Sequence, residues 1–242
     1  MTDAVTKNLE VEKEVARILG STHIPLHILC KSHTCEKLDE ACLNALVDVE
    51  SKIKFAQLVS KRQPQLMSFI RQSKCVALSS LRALLKLVSH EESAKSTSLS
   101  KEFDLQLEKD GVCKSMSLYK ERRFTKLGYS AAPVLDCLPQ YKKVLEETSL
   151  SNLLVQACKL YIENEYLLAA FKALGYFTFK VTMPFLNCVE QCDQNLLLPI
   201  LKQLYDDLKD GKMDTLEKYS VPWTHVNTDR LRTETSLDHA LV

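Results

Sequence analysis

A chain of 242 residues with 45% hydrophobic and 26% charged residues can bury a core, which excludes global disorder. Its 32 Lys and Arg nearly cancel 31 Asp and Glu, which excludes a global basic field for nucleic acid and leaves only local patches. Five glycines argue against Gly-rich phosphate loops and against many tight hairpins. No apolar run reaches the roughly 18 residues of a membrane span, and the polar N-terminus lacks the apolar stretch of a secretion signal. The expectation is an intracellular chain with no membrane partner. Nine cysteines, an odd number set mostly inside apolar helical patterns, then read as free buried thiols rather than a disulfide framework.

In chain order, the spacing predicts a first helix starting near Asn8. A strand follows over residues 24–30, IPLHILC, where Ile24, Leu26, Ile28 and Cys30 alternate with Pro25, His27 and Leu29. Both of its faces are apolar, as in a parallel sheet, yet no second convincing strand follows. Leu38, Cys42, Ala45, Val49 and Ile53 then fall on one helical face, and Ala77, Leu78, Leu81, Leu84, Leu85 and Val88 on another. Residues 90–101, HEESAKSTSLSK, read as a polar linker. Leu150, Leu153, Leu154, Ala157, Cys158, Tyr161 and Ile162 form the cleanest stripe, with Thr148 and Ser149 offering N-cap hydroxyls. A last helix is predicted from Gln194 to Lys209, stopped by Gly211.

Three constellations bear on chemistry. Cys30 and His33 stand in a CxxH spacing where the strand turns into the next helix, with Cys35 nearby. Zinc asks for about four ligands in two separated pairs, so the residues read as a structural junction and no metal site is expected. Cys188 and Cys192 share a helical face as a buried pair. Between Lys114 and Lys126, five basic residues meet Glu121 alone, and Tyr119, Phe124 and Tyr129 lie among or just beyond them. Cations clamp phosphates and aromatic rings stack on bases, so Lys120, Arg122, Arg123 and Lys126 are candidates for binding nucleic acid. The bland alternative is a solvated helix face. No GxSxG or cysteine-protease signature occurs.

The TDxxxxN element of Thr2, Asp3 and Asn8, followed by CxxH at Cys30 and His33, resembles the middle of an hAT-type transposase. The segment KERRFTKLGYSAAPVLDCL, Lys120 to Leu138, resembles that family's later Arg-Trp element, with Phe124 in place of the Trp. The stretch ALGYFTFKVTMPFLNCVEQ, Ala173 to Gln191, is similar to the later part of the family's helical insertion, where a helix leads to a Thr and an aromatic–Pro turn. The resemblance implies a ribonuclease-H-like core carrying a helical insertion, with Asp3 as the second of three catalytic carboxylates. The first carboxylate belongs to a strand ahead of Asp3 and the third, a Glu, to a helix after the insertion. Neither is placed in this chain, so Asp3 reads as vestigial, because one carboxylate does not hold the two metal ions such chemistry uses.

The fold expected is mainly α, a bundle of about eight helices with one short N-terminal strand as the remnant of a ribonuclease-H-like core. Residues 1–60 form that remnant, 61–219 the insertion-like domain and 220–242 a loose tail. The function expected is that of a transposon-derived protein that no longer cuts DNA, needs no cofactor and is intracellular, with the nucleus as the compartment implied by the resemblance. DNA and a second copy of the chain are its candidate partners. Two alternatives stay open: a fragment of an active Mg²⁺-dependent transposase, and a helical interaction scaffold with no nucleic-acid role.

Overall fold

The computed structural model describes residue 17 and residues 31–53, 74–90, 99–112, 126–191, 194–212 and 214–220. The chain divides into two units, Met1–Thr34 and Cys35–Val242. In the first unit, the described residues are Arg17 and 31–34, all helical. Helix α1 spans Lys31–Lys52, α2 Val76–Leu87, α3 Ser100–Lys109, α4 Lys126–Asp136 and α5 Leu138–Glu147. Then come α6 (Leu153–Ile162), α7 (Glu165–Phe177), a π-helical turn (Thr178–Thr182), α8 (Met183–Gln191), α9 (Gln194–Lys209) and α10 (Asp214–Glu217). The mainly α expectation holds, and the described residues contain no strand. The strand predicted over 24–30 lies outside them.

Helix α2 is the centre of the larger unit. Its apolar stripe reads as one face, yet the structure buries every residue of the helix except Arg82 and Lys86, because α4, α6 and α7 all pack on it. Leu81, Leu84 and Leu87 are each at most 1% exposed and contribute about 2 kcal/mol apiece. The buried Ser79 and Ser80 are satisfied within the helix, their hydroxyls donating to the carbonyls of Val76 and Ala77 at 2.9 Å. Around α2, α5 joins α3 to α6. Phe103 of α3 stacks against Tyr141 of α5 with ring centroids 4.6 Å apart, and the Tyr141 hydroxyl donates to the Leu84 carbonyl at 3.2 Å. At the end of α3, the Asp110 carboxylate accepts from the Gln140 amide at 2.9 Å and from Lys143 Nζ at 3.1 Å, both on α5.

Local chemistry sets most helix ends. Gly111 and Gly211 sit at φ 65° and 70°, the left-handed region that costs a β-carbon-free residue nothing. There the Val112 N–H donates to the Leu107 carbonyl and the Lys212 N–H to the Asp207 carbonyl, at 2.9 and 2.7 Å, closing the same C-terminal motif on α3 and α9. Helix α9 thus has its expected bounds and stop. Helix α6 corrects an expectation. Its cap is not Thr148 or Ser149 but Asn152, whose side chain accepts from the Val155 N–H at 3.0 Å. Only the residue directly before the first helical one can reach that N–H. Thr148 Oγ1 accepts instead from the Leu150 N–H, at 3.2 Å.

Two further expectations change. The polar segment 90–101 ends inside the core: Leu99 is fully buried, its N–H donates to the Leu87 carbonyl at 2.7 Å, and α3 starts at Ser100. Residues 91–98 lie outside the described set. The stretch Ala173–Gln191 holds no aromatic–Pro turn, because α7, the π turn and α8 run on as one helix, with Thr178 and Met183 in right-handed helical conformation. Pro184 has no N–H to give and its ring presses on the carbonyl one turn back. The wider π turn immediately before it relieves that register. Gly128 of α4 backs onto Thr178 at the start of this turn; a β-carbon there would lie 1.8 Å from Thr178 Oγ1. Beside it, Tyr129 meets Phe179 edge-on with centroids 5.6 Å apart.

Candidate functional site

The residues singled out by sequence fall unevenly. Asp3, Cys30, Lys120, Arg122 and Arg123 lie outside the described residues, as does Cys192. His33 is in the first turn of α1, and Lys126 is the first residue of α4. Cys188 is buried and in no disulfide among the described residues. Cys42, Cys75, Cys137 and Cys158 are likewise in no disulfide among the described residues.

What the sequence reading missed is a pair of carboxylates on the buried face of α1. Of the expected stripe, Leu38, Cys42 and Val49 are half-buried and pack against the cores, but Ala45 is exposed and Ile53 is 42% exposed, so it is not the most buried one. The buried positions are Asp39, Leu43, Leu46 and Glu50, at the same helical steps but shifted by one residue. Hydrophobic periodicity passes over this stripe because its two ends are charged. The charges are tolerated because the fold brings each a hydrogen-bond donor.

Glu50 meets the start of α2. Its Oε2 accepts from the Val76 N–H at 2.6 Å and its Oε1 from the Ala77 N–H at 2.9 Å. Cys75, at the N-cap position, makes no side-chain cap, so a carboxylate from another helix satisfies the first free N–H groups and faces the positive end of the helix dipole. The Tyr166 phenol of α7 lies beside it and is held well above its ordinary value, by burial first and then by the Glu50 charge. Burial, followed by the same charge, pushes the Cys75 thiol up to about 12. Such a thiol is inert rather than nucleophilic.

Asp39 is 4% exposed. Its Oδ1 accepts from Thr182 Oγ1, in the π turn, at 2.6 Å. Its Oδ2 is buried without a hydrogen-bond partner among the described residues. Burial raises the carboxyl from 3.8 to about 6, against the opposing pull of the Thr182 hydroxyl. One turn along, burial and then the Asp39 charge push the Cys42 thiol up to about 12. Both oxygens of Glu50 are engaged, whereas Asp39 keeps an acceptor in hand. Among the described residues no three His, Cys, Asp or Glu side chains gather to hold a metal ion, and no helix is long and apolar enough to cross a membrane.

No protein-family model matches the chain, and no curated protein or solved structure matches it either.

Proposed function

We propose that this chain is a transposase-derived helical module that acts in the nucleus by holding DNA rather than by cutting it. The reading rests on the order of its elements: Thr2–Asp3–Asn8, then Cys30–His33, then the basic run of Lys120, Arg122, Arg123 and Lys126, then a largely helical remainder. One observation supports it most. The basic run leads straight into α4, which starts at Lys126 and has no acid in its first turn. Free N–H groups at a helix start favour anions. The helix is also anchored, through Gly128 on Thr178 and Tyr129 on Phe179, so a phosphate contact at its start orders little additional chain.

The test is binding of a fluorescent duplex by the full chain from about 50 to about 200 mM salt. Affinity should fall steeply with salt, and the Arg122→Ala/Arg123→Ala variant should reduce the logarithmic slope by about 2. Absence of binding at low salt overturns the reading in favour of a protein-interaction scaffold, and an unchanged slope in the variant overturns the assignment of phosphate contacts to Arg122 and Arg123. A Mg²⁺-dependent nicking activity lost in Asp3→Ala would instead assign the chain to an active transposase.

A further inference from the structure

We propose that Asp39 is a proton-operated latch that ties α1 to the π turn. Three observations meet there. The carboxyl is buried at 4% exposure on a face whose other members are Leu43, Leu46 and Glu50. Its hydrogen bond reaches Thr182, which is fully buried and closes the π turn. Val181 of the same turn packs in a small core with Phe185, Leu204 and Leu216, against which Leu38 of α1 rests. A π turn inside a long helix is a local departure from the best hydrogen-bond register and a recurrent site of functional adjustment. This one is held from outside by a group that changes charge.

Ionised, Asp39 puts a charge in an apolar junction with one donor to satisfy it. Protonated, it is a neutral carboxyl that the junction accommodates. The docked arrangement therefore favours the proton. An acid raised on docking contributes most below its ordinary value, and that contribution is lost as pH rises through the docked value. The rise from 3.8 to about 6 amounts to ~100-fold in the docking equilibrium, of which roughly tenfold falls between pH 5 and pH 8.

Neighbouring charges leave this window clear. Burial and the Thr182 hydroxyl are the influences on the carboxyl. Cys42 stays neutral throughout, its thiol pushed up to about 12. Glu40 faces Lys37 and Lys74 and is held below its ordinary value. On the elements packed around the π turn, Glu190, Asp214 and Glu217 are exposed and Lys180 is half-buried. The depressed carboxyls of Asp110 and Asp207 lose their contributions only as pH falls below their ordinary 3.8.

Hydrogen exchange of the full chain, corrected for intrinsic rates, reads the latch directly. Peptides covering residues 31–45 and 177–191 should open roughly tenfold more at about pH 8 than at about pH 5, while peptides of α5 and α6 should not change. Asp39→Asn should abolish the difference. Thr182→Val removes the hydroxyl that pulls the carboxyl down, so the pH at which opening sets in should move upward. Exchange in these peptides that is independent of pH in the natural chain overturns the proposal. So does a rise that persists in Asp39→Asn, or a Thr182→Val midpoint that stays put or falls.

Discussion

Replacing Gly128 by alanine sets two effects of opposite sign against each other. At a solvent-exposed position in a helix, the change would stabilise by about 1 kcal/mol, because alanine loses less backbone freedom on folding. Here the new β-carbon would sit 1.8 Å from Thr178 Oγ1, 2.3 Å from Thr178 Cβ and 2.7 Å from the Leu174 carbonyl oxygen. Ordinary carbon contacts begin at about 3.5 Å, so the Thr178 Cβ contact is short by roughly 1.2 Å. A hydroxyl rotates away; a β-carbon and a backbone carbonyl do not. Helices α4 and α7, the most extensively paired among the described elements, must therefore separate. Overpacking of this kind costs about 3 kcal/mol, leaving a net destabilisation of about 2 kcal/mol. Urea unfolding followed by circular dichroism measures it as a lowered midpoint at unchanged slope. Thr178→Gly removes both side-chain clashes, so Gly128→Ala should cost at least ~1 kcal/mol less in that background. A Gly128→Ala chain more stable than the natural one would refute the close approach of α4 to the π turn.

Glu50→Gln keeps the shape but turns one acceptor into a donor facing a backbone N–H, and it removes the charge at the start of α2. The expected loss is about 2–3 kcal/mol, read from the same urea midpoint; a change under about 0.5 kcal/mol would mean that Glu50 does not cap α2. Tyr161 is fully buried, and its hydroxyl has no hydrogen-bond partner among the described residues. Tyr161→Phe should therefore stabilise by about 1 kcal/mol, and a comparable loss would reveal a partner for that hydroxyl.

Much of the helical character, the leucine face of α2 and the bounds of α9 were legible in the chain itself, whereas the burial of Ser79 and Ser80 on the rest of α2 was not. Leucine spacing at three and four residues and a glycine just past a helix end act over one turn, and one turn is what a local pattern encodes. The same rules misjudged α1. They ranked Cys42, Ala45 and Ile53 above Asp39 and Glu50 because they weigh each side chain alone. Asp39 and Glu50 owe their burial to donors far along the chain, Thr182 and the N–H groups of Val76 and Ala77. Of the residues read as a site, His33 and Lys126 sit at helix starts, while Asp3, Cys30, Lys120, Arg122 and Arg123 lie outside the described residues. The placement of the two carboxylates on the inner face of α1 was decided by tertiary structure alone. A buried charge is tolerated only where the completed fold supplies a partner, and neither periodicity nor composition encodes that pairing.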